Sequence, residues 1–375
     1  MRVALDSFLK EVCEKTTENN QFPVLTSSKA GLFLQSDYFN KQVASNDNTG
    51  YKIIRRGQFT YRAMSDTGEF FPNMLECADI GIVSPAYPVF EITKKNDILP
   101  EFLKYYFKSD SFQYSISSFA QGSTRTSVKF SKLKTVSIDL PSVDKQREII
   151  EILNLLKTVI AAREKEVQHF DNLVKARFVE MFENGNYQIE KLGAVCNKIT
   201  DGTHKTPTYL DDGITFISAK NIVSGELDFT DVKHISEDEY QEIQKRCQTA
   251  IYDILLSKSG SLGAPAIVKT EEKLGLFESL AVLKYDRGRL LPEFLCEQLK
   301  TDRIQRQFTT GTKGVAIKHL HLGVIADTDI IVPPLDEQKT FSAFVSQIDK
   351  SKFVVQQALD KAQLLFDSLM QKYFG

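Results

Sequence analysis

Hydrophobic and polar positions along the chain alternate between two textures. From Asp144 to Phe182, and again from Asp336 to Phe374, apolar residues recur at steps of three and four with no Pro or Gly between. In the first stretch they are Ile149, Ile152, Leu153, Leu156, Val159, Ile160, Val167, Phe170, Leu173, Val174, Phe178 and Met181. In the second they are Phe341, Phe344, Val345, Ile348, Val355, Leu359, Ala362, Leu365, Phe366, Leu369, Met370 and Tyr373. That spacing draws one apolar stripe down a helix and leaves the other faces charged. Each stretch is 39 residues long, about 58 Å as a helix. Pro141, and Pro333 with Pro334, stand just before them, and Asp144 and Asp336 are the expected N-caps.

A helix of that length outruns a domain and needs a partner along its stripe. The expectation is an antiparallel coiled coil of the two helices. Ile149, Leu153, Leu156, Val167 and Phe170 would face Phe341, Val345, Ile348, Leu359 and Phe366. The plainer alternative packs each helix on its own globular neighbour. The rest of the chain reads as short β-like runs, such as "GITFISAKNIV" and "TVSIDLP", broken by Gly, Asn and Asp. "PEFLKYYFKS" and "PEFLCEQLKT" read as one short helix each. The fold class is α+β, in four segments: a mixed globular part over 1–140, a long helix over 141–185, a second globular part over 186–332 and a second long helix over 333–375.

The same spacing recurs between phrases. "LPSVDKQREI" from Leu140 answers "VPPLDEQKTF" from Val332, and "LPEFLKYYFKSD" from Leu99 answers "LPEFLCEQLKTD" from Leu291; 332 − 140 and 291 − 99 are both 192. "GSTRTSVKFSKL" from Gly122 and "GTKGVAIKHLHL" from Gly311 lie 189 apart. A tandem duplication with pseudo-twofold character follows, far longer than the repeats of roughly 20–50 residues in solenoids.

Bulk properties narrow the classes. With 375 residues and 42% apolar content, each half can bury a core. No apolar run reaches the roughly 18 residues of a membrane span, and the polar N-terminus does not resemble a signal peptide. Five cysteines without CxxC spacing favour reduced thiols in a cytoplasmic protein. A net charge of −2 leaves nucleic-acid binding to local patches. Three acid-free stretches supply them: Lys52, Arg55, Arg56 and Arg62; Arg125, Lys129, Lys132 and Lys134; Arg306, Lys313 and Lys318.

Catalytic signatures are missing from the sequence. There is no GxxxxGK[ST] loop, no GxGxxG after a strand, no zinc spacing among the five histidines and no [DN]PP[YF] adenine-flipping motif. His319 and His321 alternate as on a strand face. Asp336, Glu337 and Lys339 resemble the D…ExK arrangement of metal-dependent nucleases, but the repeat mate reads "DKQR", and a helix start explains both copies.

The two "PxxDxQ" phrases opening long helices resemble the conserved regions of HsdS proteins, the specificity subunits of type I restriction–modification systems. "KITDGTHKTPTYLDDGITFISAKNI" from Lys198 and "SKSGSLGAPAIV" from Ser257 resemble one class of their target-recognition domains. The resemblance implies two target-recognition domains, each reading half of a split site in double-stranded DNA. The helices would space the half-sites and dock two modification (HsdM-like) subunits, which bind S-adenosylmethionine; this chain would bind no cofactor or metal. Restriction (HsdR-like) motor subunits would join for cleavage, and the chain itself would not be an enzyme. The expected DNA-contacting residues are Arg55, Arg56, Gln58, Tyr61, Ser123, Arg125 and Lys129 in the first domain. In the second they are Thr203, His204, Lys205, Lys220, Asn221, Lys258, Ser259, Thr312 and Lys313. The alternatives are a specificity subunit of a related restriction system, or a coiled-coil scaffold that binds no DNA.

Overall fold

The computed structural model describes residues 2–38, 45, 47–119, 126–183, 185–223, 225–310 and 319–375. They fall into two compact units, Met1–Glu164 with Gln357–Gly375, and Lys165–Gln356, each mixing helix and strand.

In the first unit, β1 (Arg2–Ala4), β2 (Leu9–Val12), β3 (Phe59–Thr60), β4 (Asn73–Met74) and β5 (Val89–Ile92) precede α1 (Pro100–Tyr106), α2 (Asp110–Ser117), β6 (Ser137–Asp139) and the start of α3 (Val143–Phe178). Four strands form an antiparallel sheet in the order β2-β5-β3-β4, and β1 pairs antiparallel with β6. The second unit holds β7 (Ile189–Lys191), β8 (Cys196–Asp201), β9 (Ile254–Ser257), β10 (Pro265–Ile267), β11 (Leu280–Tyr285), α4 (Pro292–Lys300), α5 (Asp302–Thr310), β12 (Asp329–Ile331) and the start of α6 (Leu335–Phe374). Its four-stranded sheet runs β8-β11-β9-β10, and β7 pairs with β12. The duplication is therefore built as well as written: the two sheets share one strand order.

Each unit pairs the start of one long helix with the end of the other. α3 has 36 residues, continued by a π-turn over Val179–Glu183, and α6 has 40. Both begin one residue before the expected aspartate. Ser142 supplies the first cap instead, its hydroxyl accepting from the Lys145 amide at 3.4 Å. Asp144 and Asp336 sit inside the first turn and pair with Arg147 and Lys339, each at 2.9 Å. A carboxylate there still suits the positive end of the helix. The nuclease-like "DEQK" is therefore a helix start: Glu337 accepts from the Tyr187 hydroxyl, and Gln338 is buried.

The motif glutamines fasten those starts. Gln146 accepts from the Leu99 amide at 2.9 Å and donates to the carbonyls of Asp97 and Pro141 at 2.9 and 3.0 Å. Gln338 accepts from the Leu291 amide at 2.9 Å and donates to the carbonyls of Arg289 and Pro333 at 2.9 and 2.8 Å. Every partner is displaced by 192 residues, the repeat distance in the sequence. The helix ends are fastened by rings. Phe102 of α1 lies 5.0 Å from Phe374, and Phe294 of α4 lies 4.9 Å from Phe182.

The apolar stripes divide accordingly. Ile149 and Leu153 join the core of the first unit, and Phe341 and Val345 that of the second. Phe366 packs against the first core and Ile348 against the second. Leu156, Val167, Phe170 and Leu359 are half-buried, while Leu155, Leu173, Phe353, Val354, Leu364 and Leu365 are exposed. The "PEFL" phrases do form helices, but each is followed by a second one, α2 or α5, where one was expected. His319 and His321 are not on a strand; His321 precedes a short helix, Leu322–Ala326.

Candidate nucleic-acid interface

One carboxylate gathers residues that the sequence sets far apart. β8 ends on Asp201, which its register places opposite Ala281 of β11. Only glycine fits next: a Cβ on Gly202 would stand 2.1 Å from the Leu276 carbonyl oxygen. The Thr203 amide then donates to that carbonyl at 2.8 Å, and the Thr203 hydroxyl accepts from the Lys205 amide at 3.2 Å. This tight turn brings His204 back over Asp201. His204 Nδ1 lies 2.6 Å from Glu278 Oε2, and Nε2 lies 3.3 Å from Asp201 Oδ2.

Two cations complete the group. Lys258 Nζ, from "SKSGSLG", lies 2.5 Å from Asp201 Oδ2. Arg246, at the end of the helix Glu237–Arg246, pairs with the other oxygen and reaches within 3.2 Å of His204 Nε2. The side chains of Asp201 and Lys258 are 3% and 4% exposed, whereas those of Arg246 and His204 are 54% and 52% exposed. A buried ion pair thus braces the half-exposed Arg246 head, while both ring nitrogens of His204 face carboxylates. Burial pushes the Asp201 carboxyl up, but hydrogen bonds and charge from Lys258 and Arg246 outweigh it and hold the group below the usual carboxylate range. The N–H groups of Arg246 other than Nη2 can donate to a phosphate or to a base edge.

The other nominated residues are dispersed. Lys205 and Lys129 are exposed. Lys220 pairs with Asp231 at 2.8 Å. The Ser259 carbonyl accepts from the Ser257 hydroxyl at 2.7 Å. Arg55 forks onto Glu14, and Arg56 pairs with Asp79 at 2.7 Å. Gln58 accepts from the Arg55 amide at 2.8 Å and donates to Glu91 at 3.2 Å. Three nominees are not surface groups. Tyr61 is fully buried, with its hydroxyl donating to the Val128 carbonyl at 3.1 Å. Asn221 is buried and ties its loop to the carbonyls of Asp228 and Asp231. Lys258 lies under the cluster rather than on it. Ser123, Arg125, Thr312 and Lys313 lie outside the described residues.

The acid-free stretches are not acid-free in space. Lys52 meets Glu11 at 3.6 Å, Arg62 meets Asp66 at 3.8 Å and Lys134 meets Asp6 at 2.5 Å. Local counting misses Glu11 and Asp6 because distant segments bring them in, while Asp66 stands four residues past Arg62, just beyond its stretch. Arg246 and Glu278 escaped the sequence reading for the same reason: nothing near them marks a site until the turn at Gly202 folds over. Among the described residues, no group of three or more His, Cys, Asp or Glu could hold a metal, and no helix is long and apolar enough to cross a membrane.

Duplicated sheets, duplicated glutamine anchors and long helices define a class of two-part, internally repeated chains. Comparison with known proteins is in line with that class. The family described as type I restriction modification DNA specificity domain matches the chain twice, over residues 6–169 and 184–361, and the chain belongs to this family. It is 27% identical over 169 residues to the type I restriction enzyme EcoBI specificity subunit of Escherichia coli, covering 44% of this chain and 35% of that protein. It is 22% identical over 309 residues to the MjaIX specificity subunit of Methanocaldococcus jannaschii, covering 75% of this chain and 69% of that one. The chain thus spans from about one third to about two thirds of the length of these relatives. Its fold is similar to that of the S subunit of a type I restriction–modification system from M. genitalium, with TM-score 0.52 and 16% identity over 100% of this chain and 96% of that one. A second solved chain, from work on complex assembly and conformational transition of the type I R-M system, gives TM-score 0.57 and 16% identity, with 100% and 97% covered.

Proposed function

We propose that this chain is the DNA-reading subunit of a type I restriction–modification complex. It would bind a split site in double-stranded DNA, one half per globular part, and leave catalysis to other chains. The observation that carries this is the double construction: one sheet order and one glutamine anchor occur twice, on helices of similar length. Two similar but diverged domains on a fixed strut suit a bipartite, asymmetric site. Half-sites about one turn apart need roughly 34–36 Å, and a helix of 36 residues spans about 54 Å.

The helices would form an antiparallel coiled coil with pseudo-twofold character. Side-chain proximities support it within each unit. Lys145 lies 5.9 Å from the Tyr373 ring and Lys157 lies 5.8 Å from that of Phe366. In the second unit Asp171 pairs with Lys352 at 2.7 Å, and Phe178 lies 5.6 Å from Phe341. In both, one number rises as the other falls. Two modification subunits carrying S-adenosylmethionine would dock along these helices, with motor subunits joining for restriction, in the cytoplasm. The chain would bind no cofactor of its own.

The test is a methylome. The chain is expressed with its modification subunit in a methylation-free host, and N6-methyladenine is mapped by single-molecule sequencing. A single motif of two short half-sites around a fixed gap supports the reading, and exchanging residues 1–140 should then change one half-site. A stable complex that leaves no new methylation would overturn it.

A further inference from the structure

The repeat provides an internal control for one pair of lysines. The ladders β2–β5 and β8–β11 begin alike, with Leu9 opposite Ile92 and Cys196 opposite Tyr285. One pair further in, the first unit sets Lys10 opposite Glu91. The second unit, after a register shift between Cys196 and Lys198, sets Lys198 opposite Lys284. Like charges directly opposite on antiparallel strands repel and cost stability. Such register shifts are common beside functional sites, where they re-aim a side chain.

Hydrogen bonds extend the two lysines into a row. Lys198 Nζ donates to the Arg246 carbonyl at 2.7 Å, and among the described residues it has no carboxylate partner. Lys284 Nζ lies 2.5 Å from Oδ2 of Asp253, whose Oδ1 accepts from Arg287 Nη2 at 3.3 Å. Asp253 is buried, as Asp201 is, while Lys198, Arg246 and Arg287 are exposed. Each arginine thus stands on a buried aspartate through Nη2, and among the described residues its Nε and Nη1 are unbonded. The carboxylates that hold the row lie beneath the surface and the cations lie on it. Asp286, the acid next to Arg287, accepts from the Gly288 amide at 2.8 Å.

Tyr252 ends the row in a strained conformation. Its φ of 68° is left-handed, a region that bulky side chains rarely adopt. Its amide donates to the Val268 carbonyl at 2.8 Å, and its carbonyl accepts from the Tyr285 hydroxyl at 2.9 Å. The exposed ring lies 5.8 Å from the Arg287 guanidinium, within reach of a cation–π contact. Strain of this kind gathers at binding sites, where the surrounding structure enforces it.

We propose that Lys198, Lys284 and Arg287, continuing from Arg246, hold backbone phosphates of the DNA beside the half-site read by the second unit, with Tyr252 steadying Arg287. This rests on the DNA-reading function above. A row of cations whose counter-charges are buried suits a polyanion of evenly repeated charge. Ammonium groups meet phosphates as point charges and guanidinium groups as forks. Neither needs a particular base, so the row fixes position without reading sequence. It begins at Arg246, in the cluster where "DGTHK" and "SKSG" meet.

The experiment measures the affinity of the assembled complex, this chain with its modification subunit, for duplex DNA over a range of salt concentrations. The K198Q/R287Q variant should weaken binding to all sequences alike and lower the slope of log affinity against log salt by about two. K198R/R287K keeps the charges and should keep the wild-type slope. R287Q alone, beyond the end of β11, should lower the slope by about one even if the double variant does not fold. Tyr252→Gly suits the left-handed backbone, so this variant should fold and bind duplex more weakly. A wild-type slope in the glutamine variants would overturn the row, and wild-type affinity in Tyr252→Gly would overturn the stacking. Loss of the modification subunit with an unchanged slope would also overturn the row, reassigning its cations to an acidic protein partner. Failure of the wild-type complex to bind any duplex would sink the DNA-reading function itself and this row with it.

Discussion

The Leu99 amide donates to the Gln146 side chain at 2.9 Å, and 192 residues later the Leu291 amide donates to Gln338 at 2.9 Å. Each glutamine is fully buried and also ties two carbonyls, so one side chain joins a loop, a proline and a helix start. A carboxylate cannot donate and an aliphatic chain can neither donate nor accept, which explains why this residue type stands in both copies. Gln146→Ala would orphan an amide and two carbonyls. The expected loss is about 2–4 kcal/mol, read by urea unfolding, with hydrogen exchange rising first around Leu99. Gln338→Ala should do the same around Leu291. Wild-type exchange rates at those amides would refute the assignment.

The second prediction concerns the far end of α6. Phe374 is buried against Phe102 of the first unit. Phe374→Ala should cost about 3–4 kcal/mol. Amide exchange should accelerate in α1, more than 250 positions earlier in sequence (374 − 102 = 272), while β8 and β11 of the second unit stay protected. Deprotection confined to the second unit would contradict the packing.

Acid sensitivity follows from Asp201. Its folded pKa is depressed below the ordinary 3.8. The stability it contributes is therefore full above 3.8 and disappears as pH falls through the lower, folded value. Asp201→Asn removes one partner of a buried pair, strands Lys258 and should cost about 3–5 kcal/mol at neutral pH. The variant should also show a smaller acid-side loss than wild type. Unfolding curves at pH 7 and across the acid range decide it, and superimposable wild-type and variant profiles would rule the pair unimportant.

Thiol chemistry separates the five cysteines. Burial pushes Cys196, Cys247 and Cys296 up to about 12, whereas Cys13 and Cys77 are exposed. A thiolate-selective reagent at pH 8 should label Cys13 and Cys77 rapidly and the other three only after denaturation. Rapid native labelling of Cys247 would show that its packing is looser than the fold implies.

The long helices and the duplication were legible because each rests on a pattern the chain repeats: a 3.6-residue period held for many turns, and one spacing kept by separate phrases. Helix starts were legible to within a residue, although Ser142 and not Asp144 supplies the first cap, since several polar residues near a proline compete for that position. The second short helices, α2 and α5, were missed because their apolar faces are brief. The candidate interface was legible only in part. "DGTHK" and "SKSG" do meet on one carboxylate, but Tyr61 reads as an interface aromatic in a basic stretch while its ring completes the core beside Phe90. Arg246 could not be found from neighbours, because its partners belong to β8 and to the turn after it.

Arg2–Ala4 pairs with Ser137–Asp139 in the same unit whose core contains Phe374. The first and last segments described here thus belong to one compact body, and the joint between the repeats, near residue 185, belongs to the other. Strand β1 and the last turn of α6 are therefore two fasteners of a single body, and loosening either exposes the core they share.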